Sequence, residues 1–365
     1  MPRCIGKRVV AAFFVMNKLT SQTMVKTAII LVNLGTPKEP TAGAVRAFLK
    51  EFLWDRRVIE GRGLRRGFWW LVLNLIILRI RPAKVAKLYA SIWDQDSPMR
   101  KILNQQVAAL QQALPGELGD SRADVFAAMS YGEPGLGELL VRLKSEGYRR
   151  LLVMPLYPQY SATSTAPIYD QVARFQLAQR EVCDIRILKE YYDHPLYIEA
   201  LAASVRQHWQ ENEPAEKLLM SFHGIPKSYA EQGDPYPQQC LQTARLLAAS
   251  LGLSDDQYMA TFQSRFGPAE WVKPYTDATL ETLAKAGVKS VDMLSPAFSA
   301  DCLETLEEIA IQNKEGFVEA GGDRYSYIAA LNADPAHIDL LLQLVKEQAG
   351  SWLGSELGPE EGAGI

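Results

Sequence analysis

The chain has 365 residues, of which 48% are hydrophobic, so it is long for one domain and sufficient for two domains with large cores. Its formal net charge of −3 excludes the broad basic surface that nucleic-acid binding usually requires. Its four cysteines show neither CxxC nor Cys/His ligand spacing, which argues against structural zinc and is typical of a reducing cytoplasm: Cys4, Cys183, Cys240 and Cys302.

Residues 1–26 are predicted to be a disordered N-terminal extension. Basic residues precede an apolar run over residues 9–16, which resembles a signal peptide only superficially. The run is short for such a peptide, and no small-x-small cleavage site follows it. Chain termini are often disordered, so we expect a flexible extension here, with Met24 as an alternative start.

Eight near-continuous apolar runs follow, separated by segments with helical periodicity. They cover residues 28–33, 124–129, 151–154 and 185–188 in the first half, and 217–222, 258–262, 290–294 and 325–329 in the second. Such runs are typical of parallel strands that are buried on both faces and joined by crossover helices. The sequence therefore predicts an α/β fold with two similar Rossmann-like lobes, residues 27–175 and 176–345, and a cleft between them. Residues 346–365, rich in Gly and Glu, predict a disordered tail.

Residues 64–81 form an unusual segment in the first half, with two adjacent tryptophans, an apolar run and arginines on both sides. The run is too short to span a bilayer and is interrupted by Asn74. It is either a buried core helix or an interfacial segment that forms an apolar lip of the cleft and enters the headgroup region of a membrane. The flanking arginines favour the lip, because arginine is seldom fully buried unless it is paired.

Two short motifs of the first half have counterparts in the second. Leu34-Gly35-Thr36-Pro37 parallels His223-Gly224-Ile225-Pro226, and Pro155-Leu156-Tyr157 parallels Pro296-Ala297-Phe298. The matches are short, so either a duplication or shared turn chemistry explains them. No strand leads into a GxGxxG motif or a P-loop, so the predicted cleft carries no nucleotide-binding signature.

One histidine stands at the expected place of a binding site, where an apolar strand ends. His223 precedes a glycine turn and a proline, and open α/β sheets bind ligands at the carboxyl ends of their strands. Further on, Asp301, Glu304 and Glu308 fall at i, i+3 and i+7, which predicts one carboxylate-lined helical face. Asp301-x-x-Glu304 is equally a helix-capping pattern, and both interpretations can hold. An imidazole opposite carboxylates suits a divalent metal and protons.

These two segments, together with Asn33–Pro37 and Thr261–Pro268, resemble the ferrochelatase family, whose members insert ferrous iron into a porphyrin. The likeness extends from about Thr27 to about Val345, with four motifs in the family order. The resemblance implies insertion of ferrous iron into protoporphyrin IX to give protohaem, the terminal step of haem biosynthesis. It also implies a peripheral attachment to the inner face of a membrane through the apolar lip.

The resemblance further implies which residues form the site. His223 and Glu304 are expected to be catalytic and to bind the metal from opposite sides, with Glu308 as a further metal ligand. Six residues are expected to contact the porphyrin, although packing explains the aromatic ones equally well: Leu34, Tyr131, Phe298, Trp271, Arg79 and Arg81. The sequence does not choose the propionate anchors among Arg56, Arg57, Arg79, Arg81 and Arg265. The family often has histidine where this chain has Cys302, and the remaining histidines, His194, His208 and His337, are interpreted as surface or capping residues.

No cofactor is expected. Some ferrochelatases carry an iron–sulfur cluster held by cysteines near the C-terminus and by one at the position of Ala162, and this chain lacks these residues. Two alternatives to the proposed enzyme stay open on the sequence alone. One is a chelatase for another porphyrin or divalent metal, because such ligands discriminate weakly between metals. The other is a non-enzymatic carrier of haem or metal, since two hinged lobes also form such receptors.

Overall fold

The computed structural model describes residues 25–118 and 123–353. Within these ranges, eight strands form two four-stranded parallel sheets. The first sheet contains β1 (Lys26–Gly35), β2 (Ala123–Tyr131), β3 (Tyr148–Pro155) and β4 (Asp184–Ile187) in the order β2-β1-β3-β4. The second contains β5 (Lys217–His223), β6 (Tyr258–Gln263), β7 (Ser290–Leu294) and β8 (Arg324–Ile328) in the order β6-β5-β7-β8. The predicted α/β class with two parallel-sheet lobes is confirmed.

The two sheets have the same topology, because the first strand of each lies between its second and third strands. The matching motifs found in the sequence, Leu34–Pro37 and His223–Pro226, both begin at the ends of these first strands, which favours a duplication. In this strand order the direction of the connections reverses between the first and third strands, and ligands bind at that crevice. The carboxyl ends of β5 and β7 are therefore the expected place of the site in the second sheet.

Helices cover both sheets. The first six are α1 (Ala42–Trp54), α2 (Leu64–Val72), α3 (Leu78–Ile92), α4 (Pro98–Leu118), α5 (Leu136–Ser145) and α6 (Thr165–Leu177), with a π-helical turn, Leu73–Ile77, joining α2 to α3. The others are α7 (Pro195–Glu211), α8 (Lys227–Glu231), α9 (Tyr236–Leu251), α10 (Thr276–Lys285), a π-helix over Glu304–Asn313, α11 (Lys314–Glu319) and α12 (Pro335–Leu353).

The boundary between the lobes lies later than residue 175. β4 pairs with β3 in parallel, so the first sheet extends to Ile187. The lobes also share their largest buried cluster, which contains Ile29 and Leu31 of β1 together with Leu218 and Met220 of β5. Because one core spans both sheets, the two lobes support each other.

The expected tail beyond residue 345 is also shorter than predicted, because α12 continues to Leu353. Val345, Ala349 and Leu353 recur at four-residue spacing on one face and are buried. Arg150 and Arg186 of the first sheet donate hydrogen bonds to carbonyls of the last turns of α12. The rest of the predicted tail, residues 354–365, and residues 1–24 of the predicted extension lie outside the described residues; Lys26 already belongs to β1.

Candidate functional site

His223 is the last residue of β5, and its imidazole is half-buried. Its Nδ1 lies 2.7 Å from the carbonyl oxygen of Gly224. A carbonyl can only accept a hydrogen bond, so Nδ1 carries the ring proton in this contact. The lone pair of the neutral imidazole is then on Nε2, the nitrogen that can take up a proton or bind a metal ion.

The glycine after His223 allows a close contact between the β5 turn and a tryptophan. A Cβ atom on Gly224 would lie 2.9 Å from the carbonyl oxygen of Gln263 and 3.0 Å from Cε3 of Trp271. Trp271 donates from Nε1 to the carbonyl of Phe266 at 2.8 Å, which orients its ring. The centroids of the His223 and Trp271 rings are 6.4 Å apart. Trp271 therefore forms one wall beside the imidazole.

The carboxylates lie on a π-helix, where the sequence predicted an α-helix. Its turns close through i→i+5 hydrogen bonds and hold more residues than α-helical turns, so residues four apart come close to alignment. Glu304 and Glu308 therefore share a face, whereas Glu307 is buried and accepts hydrogen bonds from Gln312 at 2.8 and 2.7 Å. Short π-helical segments are frequent at functional sites.

Glu308 is held by the residue that follows β6. The backbone N–H of Ser264 donates to Oε1 at 2.7 Å, and the Ser264 hydroxyl donates to Oε2. Burial raises the pKa of Glu308; the hydrogen bonds from Ser264 and the nearby His223 lower it in part, and Glu304 adds a repulsion that raises it. His223 and Glu308 thus interact electrostatically across the ends of β5 and the π-helix.

Contrary to the prediction from the sequence, Asp301 does not lie on the same helical face as Glu304 and Glu308. It precedes the π-helix, and its buried carboxylate accepts hydrogen bonds from Thr305 Oγ1 at 2.9 Å, the Tyr327 hydroxyl at 2.6 Å and Asn332 Nδ2 at 2.8 Å. These bonds occupy both oxygens, so Asp301 holds the loop between β7 and the π-helix. Cys302 is also buried, and burial raises the pKa of its thiol well above the usual value.

Three residues expected to contact the porphyrin lie at strand ends. Tyr131, at the end of β2, is only 3% exposed, and its hydroxyl donates to Asp55 Oδ2 at 3.0 Å. Burial and the neighbouring Asp55 raise its pKa, so the phenol stays protonated. Leu34 is half-buried at the end of β1, and Phe298 is half-buried in the turn after β7. Contact of these residues with a porphyrin stays a prediction.

The arginines divide into paired and unpaired groups. Arg57 makes a bidentate ion pair with Asp170, with both contacts at 2.8 Å, and Arg265 pairs with Asp277 at 2.6 Å. Arg81 stacks over the ring of Phe266 at 4.5 Å, and burial lowers its pKa. Among the residues that the structure describes, Arg56 and Arg79 have no ion-pair partner. The propionate anchors are therefore best sought among Arg56, Arg79 and Arg81.

Two of the other histidines differ from their interpretation as surface or capping residues. His337 is 1% exposed and donates from Nδ1 to the carbonyl of Asn332 at 2.7 Å, and burial lowers its pKa. His208 is half-buried, with Nε2 3.5 Å from Asp292 Oδ1. His194 does cap a helix, because its Nδ1 accepts from the backbone N–H of Leu196 at the start of α7.

The predicted lip comprises α2, the π-helical turn and the start of α3. One face packs inward, where Leu73 and Ile77 contact Leu53 and Phe266. Trp69 also points inward and donates from Nε1 to the carbonyl of Leu53 at 2.9 Å. The other face exposes large apolar side chains: Leu64, Phe68, Trp70, Leu71, Leu75, Ile76 and Ile80. Over residues 25–118 and 123–353, no helix is long and apolar enough to cross a bilayer.

A groove of about 1110 Å³ lies behind α1 in the first lobe. Its lining comes from α1, α2, α5 and α6 and includes Tyr131, but neither His223 nor Glu304. Through Tyr131 the groove includes one residue that is expected to contact the porphyrin. In the described part of the chain, no three His, Cys, Asp or Glu side chains converge to hold a metal ion.

Comparison with known proteins decides the family. The ferrochelatase family model matches residues 26–349, which is most of the chain. The chain belongs to the ferrochelatase family. The resemblance first recognised in four motifs is thereby confirmed. Membership makes the chain an enzyme, a metal chelatase that inserts iron into protoporphyrin in haem synthesis.

Individual relatives agree with this assignment. A ferrochelatase from Psychrobacter arcticus is 53% identical over 330 residues, which cover 90% of this chain and 96% of the relative. A ferrochelatase from Acinetobacter baumannii is 54% identical over 321 residues, covering 88% of this chain and 94% of the relative. Both span nearly their full length, so the similarity is not confined to one lobe.

Solved structures of distant proteins share the fold. SirB from Bacillus subtilis with Fe³⁺ matches with a TM-score of 0.53 at 12% identity, covering 91% of this chain and 98% of that one. A cobalt complex of the sirohydrochlorin chelatase SirB from Bacillus subtilis subspecies spizizenii matches with a TM-score of 0.51 at 12% identity, with the same coverage. At this identity the likeness shows the fold alone.

Proposed function

We propose that iron insertion takes place at the carboxyl ends of β5 and β7, with ferrous iron and protoporphyrin IX as substrates and protohaem as product. The observation that supports this placement is His223 at the end of β5, which lies near enough to Glu308 of the π-helix to lower the pKa of that carboxyl, while its Nδ1 contacts the carbonyl of Gly224. Glu308, held by Ser264 and influenced by His223, supplies a second proton acceptor nearby. An acid–base pair of this kind suits a reaction that removes protons while a metal enters.

Insertion of one Fe²⁺ requires two pyrrole N–H protons to leave the macrocycle. In our proposal His223 uses Nε2 either to accept a pyrrole proton or to pass the incoming iron to the ring, and Glu304 shares the metal. Glu308 takes up protons and passes them outward along the face that it shares with Glu304. Because burial raises its pKa, Glu308 binds a proton more readily than an exposed carboxylate does.

Around this centre we propose a porphyrin cleft with apolar walls and cationic anchors. Trp271 stands beside the imidazole and is the wall best supported by geometry. Tyr131 forms part of a wall through its ring, because its hydroxyl already donates a hydrogen bond to Asp55. Leu34 and Phe298 complete the walls, and Arg79 and Arg81 bind the propionates as charged donors.

We propose that the enzyme is cytoplasmic and attaches peripherally to the inner face of a membrane. The exposed apolar face of α2 and α3 supports this, with Leu64 93% and Phe68 69% exposed. Soluble proteins rarely expose contiguous apolar patches of this kind without a partner. Trp70 and the flanking arginines are suited to the headgroup region.

We also propose that the enzyme works without an iron–sulfur cluster or another cofactor. The described cysteines Cys183, Cys240 and Cys302 are free and buried. Ala162 stands in a polar turn, where its N–H donates to Asp234 Oδ2 at 2.8 Å. We expect purified protein to lack acid-labile sulfide and cluster absorption; a stoichiometric sulfide content would contradict this.

Steady-state iron insertion by His223→Ala and Glu304→Gln tests the proposed chemistry. Both variants should lose about 100-fold or more in kcat, because each removes a group that acts on the metal or the protons. Porphyrin binding, followed by absorption titration, should be retained, since walls and anchors hold the ring. Cys302→Ala and His194→Ala serve as controls and should stay within a few-fold of wild type, with folding checked by circular dichroism. Near-normal insertion by His223→Ala would refute the central role of the imidazole.

The same assay discriminates between substrates. Protoporphyrin IX and the more carboxylated coproporphyrin are supplied side by side with ferrous iron, and cobalt and zinc replace iron in parallel reactions. We expect the highest kcat/KM for protoporphyrin IX. A preference for coproporphyrin would leave iron insertion intact and change the proposed substrate, because carboxylate and imidazole ligands alone do not select the ring.

A further inference from the structure

We propose that Asn332 and Gln106 are positioning residues that hold Glu304 at the iron site. Neither lies on the π-helix that carries the carboxylates, and neither has a part in the proton transfer proposed above. The inference rests on the role proposed above for Glu304. The two residues act through a chain of buried and partly buried hydrogen bonds that ends in the first turn of the π-helix.

Asn332, in the loop after β8, forms two hydrogen bonds with Asp301. Its Oδ1 accepts the backbone N–H of Asp301 at 2.8 Å, and its Nδ2 donates to Asp301 Oδ2 at 2.8 Å. Asn332 has a φ of 49°, in the left-handed region that asparagine tolerates better than most residues. The pairing fixes both the main chain and the carboxylate of Asp301, so the loop has little freedom at this point.

Asp301 transmits this restraint to the π-helix. Its Oδ1 accepts a hydrogen bond from Thr305 Oγ1 at 2.9 Å, and Thr305 Oγ1 accepts the backbone N–H of Cys302 at 3.0 Å. Thr305 is fully buried and directly follows Glu304. A shift of Asp301 therefore moves the turn that carries Glu304.

Gln106 connects this network to the other lobe. It lies on α4, is fully buried, and its Nε2 donates to the carbonyl of Asn332 at 2.8 Å and to the carbonyl of Ser299 at 3.1 Å. Ser299 lies in the loop between β7 and the π-helix, which also contains Asp301, and Asn332 lies in the loop after β8. One amide group of the first lobe thus holds both loops together. A displacement of about 1 Å in a reacting group can lower the rate roughly 100-fold. By holding the two loops, Gln106 would prevent such a displacement of Glu304.

Gln106→Leu provides the first test, because the chain offers a matched control. Gln159 is also a buried glutamine, 1% exposed, and its Nε2 donates to Thr243 Oγ1 at 3.0 Å, away from the π-helix. We expect Gln106→Leu to lower kcat for iron insertion by about 10- to 100-fold with little change in KM for porphyrin. Gln159→Leu should lose comparable thermal stability and keep kcat within a few-fold. Equal kcat in the two variants would overturn the inference.

Exchanging the side chains of Asn332 and Asp301 provides the second test. This test remains available if the Gln106→Leu variant does not fold. Asn332→Asp alone places two carboxylates together and should reduce kcat, as should Asn332→Gly, which keeps the left-handed backbone but removes the amide. Combining Asn332→Asp with Asp301→Asn restores a donor opposite an acceptor, so the double variant should recover kcat to within a few-fold of wild type. If kcat of the double variant is no higher than that of Asn332→Asp, the result contradicts positioning through the hydrogen bonds between Asn332 and Asp301.

Glu304→Gln, measured in the same assay, separates the two ideas. If it is inactive while Gln106→Leu and Asn332→Gly keep wild-type kcat, the positioning role is wrong and the role of Glu304 stands. If Glu304→Gln itself keeps wild-type kcat, the proposed function of that carboxylate is wrong, and the positioning inference falls with it. Reduced kcat in all three, with rescue by the swapped pair, supports both.

Discussion

Glu308 shows at the scale of one residue how burial and partners combine. Its carboxylate is buried, which disfavours the charged form, and Ser264 donates two hydrogen bonds that favour it. Burial is the larger effect, so the pKa of Glu308 lies above its usual value. The same perturbation that makes Glu308 a useful proton acceptor therefore costs the folded state some stability at neutral pH.

The pH dependence of stability follows from the sign of this shift. A carboxyl group whose pKa is raised on folding contributes stability that is complete below its unfolded pKa, near 4.5, and is lost as the pH rises through the folded pKa. We expect Glu308→Gln to raise the thermal unfolding midpoint by about 1–3 °C at neutral pH, with the gain disappearing toward pH 4.5. Unfolding midpoints across this pH range measure the effect.

Glu281→Gln is the matched control, because Glu281 lies at the surface and forms an exposed ion pair with Lys285. Surface pairs of this kind contribute little to stability, so its midpoint should follow wild type at every pH. A Glu308→Gln midpoint that is unchanged at neutral pH, or a gain that persists unchanged at pH 4.5, would contradict the sign assigned to the shift.

At the scale of one element, the α2–α3 segment is not the fully buried core helix that the sequence left open as one interpretation. Its inner face belongs to a cluster with α1 and with Phe266 of the second lobe, whereas its outer face is apolar and exposed. The neighbouring tryptophans divide accordingly, Trp69 inward and Trp70 outward.

This division predicts different effects for neighbouring substitutions. Replacing Phe68 and Trp70 by serine should weaken binding to vesicles that contain anionic lipid, at little cost in stability, because both side chains are exposed. Trp69→Ser should instead lower stability, since it removes a packed ring and the hydrogen bond to Leu53. Co-sedimentation with vesicles and thermal unfolding measure the two quantities separately.

Leu177→Ser is the matched control, because Leu177 is 87% exposed on α6, outside the lip. It should leave vesicle binding unchanged. The membrane proposal fails if the double variant at Phe68 and Trp70 partitions to vesicles like wild type, or if Leu177→Ser weakens binding to the same degree.

At the scale of the whole molecule, α12 joins the two lobes. α12 leaves β8 of the second sheet, and its end packs against the first sheet, where Arg150 and Arg186 donate to carbonyls of Trp352 and Gln348. The guanidinium of Arg186 also stacks on Trp352 at 4.2 Å. The C-terminal turns of α12 therefore contribute to the stability of the first lobe.

Truncation tests this contribution. A chain ending at Val345 loses the buried Ala349 and Leu353 and the contacts of Trp352, so its free energy of unfolding should fall by roughly 3 kcal/mol or more. A chain ending at Leu353 keeps these contacts and should be more stable than the chain ending at Val345 by this amount. Urea unfolding of the three proteins measures the difference; equal stability of the two shortened chains would show that these turns contribute little.

The sequence by itself determined the α/β class, the eight strands, the position of His223 at a strand end and the family. These properties depend on local apolar periodicity and on short motifs, which are readable without contacts between distant residues. The sequence also identified the carboxylates of the π-helix, although the pairing of His223 with Glu304 came from the family likeness and not from spacing.

Tertiary structure alone decided the roles that depend on distant partners. Asp301 looked like a member of the carboxylate face, but Asn332 and Tyr327, far along the chain, occupy its oxygens. His337 has no local signal of its burial, which results from packing of α12. The π-helical geometry changes which residues share a face, and it is not encoded in a simple period. A side chain's partners come from elements tens or hundreds of residues away, so local patterns cannot reveal whether a polar group is free to act.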